Sequence, residues 1–422
     1  MTIQDLSDGL KAEARRVGFD DVGIAPAVAA PGHSHLIHWL ESGHEAGMQY
    51  MRRNAAQRAH PDALLEGVRS VVVLSMVYGH NDPETGPAAP SRGKVARYAR
   101  GGDYHRVLWD KLESLMEWLR AQRPTIRGRA VADTAPLLER DFARLAGLGW
   151  IGKNTLLIGR RLGSFTVLGA LLVDAELAYD APHHPDHCGT CTRCLEACPT
   201  QAFVGPYELD SRRCISYWTI EHKGVLSEPE AGELNGWVFG CDICQDVCPW
   251  NRKAPSGREQ ALLPREEWTD PDLIEWFNLG ADDWKARLKG TALSRSKRTG
   301  LLRNAALVLG TRGVTEAIAP LVAHLEDRSE DAIVRASAAW ALGRIGTTES
   351  RAALTLHHDD PDPVVRRAVQ LALEHVALPS EKKAIRGAFC PPGPPLKTRV
   401  GVQASLEDRA DPNAGHTRGN GL

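Results

Sequence analysis

Eight of the nine cysteines in this 422-residue chain fall between Cys188 and Cys248, and no other feature limits its folding as much. The stretch opens with Cys188-Gly-Thr-Cys191-Thr-Arg-Cys194-Leu-Glu-Ala-Cys198-Pro199. It closes with Cys241-Asp-Ile-Cys244-Gln-Asp-Val-Cys248-Pro249, and Cys214 lies between. Two-residue gaps let successive thiolates turn around one compact inorganic core, and a proline after the last cysteine stops the chain from following that turn. A C-x2-C-x2-C-x3-C-P run is a ligation pattern of paired 4Fe–4S clusters, in which the fourth cysteine crosses to the other cluster. Cys188, Cys191, Cys194 and Cys248 are therefore expected to hold one cluster, and Cys198, Cys214, Cys241 and Cys244 the other. Zinc would want two ligand pairs rather than a triplet with a proline-marked fourth. Disulfides are not expected in a chain with no secretory signal.

The charge balance is close to even, with a net charge of −2, so any affinity for nucleic acid must come from a local surface. The start, Met-Thr-Ile-Gln-Asp-Leu-Ser-Asp, carries acids and no apolar core, unlike a signal peptide. Arg15-Arg16 is the only early twin arginine, and no hydrophobic segment follows it. The apolar runs around Val71–Val77 and Phe165–Val173 are too short to span a bilayer. A cytoplasmic protein of a reducing compartment, without membrane attachment, is the expectation.

Residues 1–178 mix helical and strand patterns, which predicts an α+β domain. Ile3, Leu6, Leu10 and Ala14 form a helical stripe, and residues 34–52 look helical around a break at Gly43. Ser70–Tyr78 reads as a strand covered on both faces. A Gly/Pro/Asn-rich loop over 79–93 and a helix over 104–122 follow. Arg129-Ala-Val-Ala-Asp133-Thr134-Ala-Pro136 reads as a strand running into a helix start. There Asp133 or Thr134 would cap the helix, Pro136 would sit in its first turn and Glu139 would favour the dipole. From the residues alone, that cap is the plainer role for Asp133. Gly147-Leu-Gly149-Trp-Ile-Gly152 is a literal G-x-G-x-x-G, but a helix precedes it and a strand-like run follows. That order is reversed for dinucleotide binding. The glycines are instead expected to let the loop approach something flat.

Residues 179–254 form the cysteine domain. A connector over 255–300 has aromatic anchors at Trp268, Trp276, Phe277 and Trp284. From Lys285 to Arg303 come Lys285, Arg287, Lys289, Arg295, Lys297, Arg298 and Arg303 with no acid after Lys285. A phosphate-binding stripe and a solvated helix face fit this run equally well. Residues 301–378 repeat with a period of 31 to 32 residues: Leu302-Arg303-Asn-Ala-Ala-Leu-Val-Leu-Gly310 matches Val334-Arg335-Ala-Ser-Ala-Ala-Trp-Ala-Leu-Gly343, and Val365-Arg366 opens a third copy. Small residues between leucines suit stacked helix pairs of the HEAT type. So few repeats should dock on the rest of the chain. From Pro379 to the end the composition reads as a disordered tail, and Cys390 within it receives no role.

Taken together, these motifs resemble one family. They are Asp133-Thr-Ala-Pro136, Gly147-Leu-Gly-Trp-Ile-Gly-Lys153-Asn154, the double cluster run with Cys214-Ile-Ser-Tyr-Trp-Thr-Ile-Glu-His-Lys-Gly224, and Gly300-Leu-Leu-Arg-Asn304 opening the repeats. The chain resembles the epoxyqueuosine reductases over residues 1 to about 378, with a cysteine spacing similar to that of bacterial ferredoxins. The departure from a plain ferredoxin is the 26-residue insertion between Cys214 and Cys241.

The resemblance implies a cobalamin-binding domain related to that of corrinoid reductive dehalogenases, a two-cluster domain and HEAT-like repeats that help hold tRNA. It implies reduction of epoxyqueuosine to queuosine at the tRNA wobble position, the last step of queuosine synthesis. Cob(I)alamin would be the reductant, two 4Fe–4S clusters would feed it, and Asp133 would be the proton donor. A carboxyl desolvated beside a corrin is expected to have a raised pKa. Arg58 matches a family arginine on the corrin; Lys153, Asn154, Ser216, Asp242 and Ile243 are further cobalamin candidates. Arg295, Lys297, Arg298 and Arg303 are candidate tRNA contacts. Tyr98 and His105 align with family positions but are expected to pack. An external electron donor of flavodoxin or ferredoxin type and a monomeric state complete the expectation. The rivals are a dehalogenase, which usually carries a twin-arginine signal, and an electron carrier, which has no need of so large a cofactor domain.

Overall fold

The computed structural model describes residues 1–80 and 89–377. The expected tail with Cys390, and most of the loop expected at 79–93, lie outside the described residues. The N-terminal unit is built on a four-stranded antiparallel sheet of β1 (Asp21–Pro26), β2 (Ser70–Val77), β3 (Gly128–Val131) and β4 (Thr166–Val173), in the order β1-β2-β4-β3. All eight residues of β2 are buried. Side chains alternate across a pleat, so Val72, Leu74 and Met76 face α1 (Ile3–Arg16) and α2 (Tyr104–Gln122). Val71 and Val73 face Phe142 and Ala143 of α3 (Glu139–Leu145) on the other side. This is why β2 reads as an unbroken apolar run while α1 and α2 read as amphipathic.

The insertion after Cys214 joins the parts of the molecule. Ile215, Trp218, Leu226, Leu234, Trp237, Val238 and Phe239 are buried in one core with the repeat helices. Within it, Trp237–Phe239 pairs in parallel with Lys94–Val95 from the N-terminal unit. Trp268, Trp276 and Trp284, the aromatic anchors of the 255–300 stretch, are buried in the same core and meet edge to face.

The repeats are helix pairs. Lys297–Thr311, Ala332–Ile345 and Pro363–Ala377 stack side by side, with Ile318–Glu326 and Thr348–Leu356 as second helices. The matching glycines explain the spacing. A Cβ at Gly310 would meet the Ala341 backbone at 2.6 Å, and one at Gly343 would meet Ala372 at a similar distance. Each repeat thus places a glycine against an alanine of the next, and the helices approach more closely than larger residues would allow. No helix among the described residues is long and apolar enough to cross a membrane.

Candidate cluster and catalytic site

The eight clustered cysteines are all free thiols. Electrostatic coupling sorts them into two sets. Burial and then the neighbouring Cys188, Cys248 and Cys191 push Cys194 up to about 11. Burial drives Cys244 well above the usual thiol value, with Cys241 and Cys214 adding to it, and Cys241 is raised by burial, with Cys214 and Cys198 among its neighbours. Cys194 also acts on Cys244, so the two sets adjoin. Among the described residues no three His, Cys, Asp or Glu side chains converge as a single ion would require.

The backbone around these thiols suits iron–sulfur clusters. Ala202 N–H donates to Cys198 Sγ at 3.3 Å. Backbone N–H groups of Tyr217 and Ser216 point at Cys214, that of Ile243 at Cys241, and those of Trp250 and Asn251 at Cys248. Thiols buried this deeply resist ionisation alone. Metal ligation together with N–H donors makes the thiolate form favourable, and such donors tune cluster potential.

Lys153 donates to the carbonyls of Gly189 and Cys191 at 2.6 and 3.1 Å, clamping the first cysteine loop. Buried Asn154 lines the same cavity as Cys188, Cys191, Cys194 and Cys248, and its Nδ2 has no partner. Lys153 and Asn154, expected on the corrin, therefore stand beside the first cysteine set. The glycine loop before them packs against the chain itself. A Cβ at Gly149 would meet Ile158 O at 2.1 Å, and one at Gly147 would meet Ala181 O at 2.8 Å. The glycines admit close approach of the chain's own backbone at Ile158 and Ala181.

The helix cap expected at Asp133 is overturned. Helix α3 begins at Glu139 with Leu138 before it and no side-chain cap. Asp133 instead sits in a turn with a left-handed backbone, φ +55°. Its N–H donates to Glu139 Oε1 at 2.7 Å. Its Oδ2 accepts from Tyr104 Oη at 3.0 Å and lies 3.2 Å from His105 Nε2, while His105 Nδ1 is 2.7 Å from Asp103 Oδ1. His105, expected to pack, is instead the middle of an Asp103–His105–Asp133 chain. The clue was present as Asp103 two residues before His105, but nothing local said that Asp133 would close the chain. Tyr98 does pack, edge to face with Tyr78 and Tyr104.

Asp133 is 60% accessible, yet burial acts strongly on its carboxyl, as at the floor of a cleft. Burial raises it, but the His105 hydrogen bond and charge and the Tyr104 hydroxyl outweigh that, and the net shift is downward. In this structure the neighbours of Asp133 thus hold its carboxyl down. His105 is lowered by burial but raised overall by its bonds to Asp133 and Asp103. The carboxyl that burial lifts is Glu139, pushed up to about 8, with Asp133's charge adding to the effect.

Tyr50, raised by burial, also feels the charges of Glu221, Arg295, Asp133 and Arg58. Arg58 is 8% exposed, and its guanidinium makes one hydrogen bond, 3.4 Å long, to Asn54 O. A buried arginine with such spare donor capacity suits the carbonyl and phosphate oxygens of a large cofactor. Ser216 and Ile243 are partly exposed. Asp242, by contrast, is occupied: Arg97 N–H donates to it at 2.9 Å, and burial lifts its carboxyl to about 6.

The basic stretch divides. Arg303 is 1% exposed and donates to the carbonyls of Trp218, His222 and Gly224, so it cannot reach a tRNA phosphate. Arg298 makes a two-pronged pair with Glu330. Arg295 pairs with Glu221 at 2.8 Å and lies 5.7 Å from the centre of the Tyr50 ring. Among the described residues, Lys297 alone of the four makes no side-chain hydrogen bond or ion pair. Acids distant in sequence neutralise a stretch that has none of its own.

Family profiles match three parts of the chain: "Epoxyqueuosine reductase QueG, DUF1730" over residues 58–134, "4Fe-4S double cluster binding domain" over 187–251 and "HEAT repeats" over 291–374. An epoxyqueuosine reductase of Pseudomonas aeruginosa is 41% identical over 307 residues, 72% of this chain and 85% of that protein. One from Synechocystis is 43% identical over 67% of this chain and 98% of its own length. The crystal structure of an epoxyqueuosine reductase with an epoxyqueuosine-modified tRNA-Tyr stem loop superposes with a TM-score of 0.84 at 27% identity. It covers 89% of this chain and 100% of its own. A Bacillus subtilis epoxyqueuosine reductase, solved with an aspartate-bearing catalytic loop swung out of its active site, gives 0.83 at the same identity and coverage.

Proposed function

The chain belongs to the epoxyqueuosine reductase family, and from that premise we infer that it reduces epoxyqueuosine in tRNA to queuosine. The observation that carries this reading is the pairing of two cluster-ready cysteine sets with a cleft in which Asp133 is bonded to His105 and Tyr104. Removing the epoxide oxygen to leave an alkene consumes two electrons and two protons and releases water. Bound cobalamin supplies low-potential reductive chemistry at the substrate carbon, and the clusters supply electrons singly at tunable potential.

The chain's own residues do the rest. Arg58, Ser216 and the backbone at Asp242 and Ile243 hold the corrin, Arg58 through its unused donors. Asp133 delivers the proton to the departing oxygen, for which it must lie within hydrogen-bond reach. His105, oriented by Asp103, holds the proton that replenishes Asp133. Tyr104 fixes the carboxylate, and Glu139 holds the Asp133 backbone in its left-handed turn. Asp133 is thus a relay rather than an acid with a high pKa of its own, and its proton comes from the raised imidazole behind it. Lys297 contacts the tRNA backbone, Arg295 being paired with Glu221.

The test is nucleoside mass spectrometry of tRNA from a strain lacking this gene. Epoxyqueuosine should accumulate and return to queuosine on complementation. Unchanged queuosine in the deletion strain would remove the assignment.

A further inference from the structure

The two cysteine sets differ in how they meet the surface. Cys188, Cys191, Cys194 and Cys248 line a cavity of about 50 Å³ together with Lys153, Arg193 and Trp250. A larger open concavity of about 420 Å³ adjoins it, lined by Arg193, Glu196, Ala197, Asp246, Val247 and Arg252. Arg193 belongs to both. No cysteine of the second set lines either cavity.

Asp246 is paired with Arg97 at 2.5 Å, while Glu196 accepts from the Thr192 hydroxyl and keeps its charge. Arg193 and Arg252 are exposed and, among the described residues, enter no side-chain hydrogen bond or ion pair, and neither does the exposed neighbour Lys253. Arg160 carries a further charge beside His183 on the glycine-loop side. On a chain of net charge −2, the first cysteine set is thus flanked by more free cations than unpaired carboxylates.

We propose that this face, centred on Arg193, Arg252 and Lys253, is the docking surface for a small acidic one-electron carrier protein of the flavodoxin type. The inference rests on the reading above, in which the clusters feed the reaction. Complementary charge accelerates encounter and orients the partner without requiring a large interface, as suits a carrier that must leave after each delivery. In each encounter the reduced carrier loses one electron and the first cluster gains it, and no bond is made or broken. Two encounters supply the two electrons that one epoxide consumes.

The experiment mixes oxidised, fully reconstituted protein with reduced flavodoxin in a stopped-flow instrument and follows bleaching of cluster absorbance. Arg252→Glu with Lys253→Glu should slow the second-order reduction by about tenfold at low salt, and the gap should close as salt rises. Reduction by dithionite and affinity for the tRNA stem loop should not change. Arg252→Gln alone, within the concavity, should slow flavodoxin in the same sense and serves if the double variant fails to load clusters. Wild-type rates across the salt series would overturn the proposal, as would equal slowing with dithionite. Weakened stem-loop binding with unaltered flavodoxin kinetics would assign the face to nucleic acid instead. Failure of the functional reading looks different: clusters reduced normally by flavodoxin, with no epoxyqueuosine converted under any reductant.

Discussion

At the scale of single residues, the account turns on four side chains around one turn. Asp133→Ala should keep clusters and corrin bound while turnover falls by about 100-fold or more, the usual contribution of a positioned proton donor. Near-wild-type turnover would end the assignment. His105→Gln should lower turnover and flatten its decline at alkaline pH, because His105, raised above its ordinary value, loses its proton there. Glu139 permits a separate test by stability. Its folded value of about 8 lies above the ordinary 4.5, so the folded state retains a proton that the unfolded chain releases. Its contribution is full at low pH and is lost as pH rises from about 4.5 to about 8. Glu139→Gln should remove that slope from denaturation curves measured between those limits; an unchanged slope would show that Glu139 is not the group responsible. The cysteines and Asp133 were legible because ligand spacing and a motif are local. Asp133's partners were not, because His105 and Tyr104 arrive from another helix, 28 and 29 residues away in sequence.

At the scale of elements, burial decides what the basic stretch does. Its cations stood out in sequence because no acid follows Lys285 up to Arg303, yet Glu221 and Glu330 come back in space to neutralise Arg295 and Arg298. Arg303 is spent on three carbonyls of the cysteine-domain insertion, and the adjacent Asn304 donates to Thr219 O and Val238 O. Arg303→Ala would strand those acceptors and should cost about 2–4 kcal/mol of stability, read by urea denaturation. Lys297→Glu should leave stability unchanged and weaken stem-loop binding in a salt-dependent way. The reverse pattern would return Arg303 to the tRNA surface. The HEAT helices themselves were readable because Gly310 and Gly343 repeat with the stacking. The docking of the first repeat was not, since a buried arginine looks the same in sequence as an exposed one.

At the scale of the whole molecule, the insertion between Cys214 and Cys241 joins the cysteine domain, the N-terminal unit and the repeats. It pairs with Lys94–Val95 on one side and buries Trp218 and Trp237 against the repeats on the other. The cysteine sets, the Asp133 turn and the first repeat are thereby held in one frame. The class of the fold and its order of parts could be read ahead of the structure, while this joint could not, because its hydrophobic residues have no regular period. The central claim is that this frame brings a corrin between the clusters and the substrate. The most direct measurement is anaerobic reconstitution with iron, sulfide and cobalamin, followed by metal analysis, absorbance spectra and reaction with an epoxyqueuosine stem loop under reductant. The account predicts about eight iron atoms and one corrin per chain, with the stem loop converted to queuosine. Protein that holds its iron yet takes up no corrin would contradict it and leave only an electron conduit.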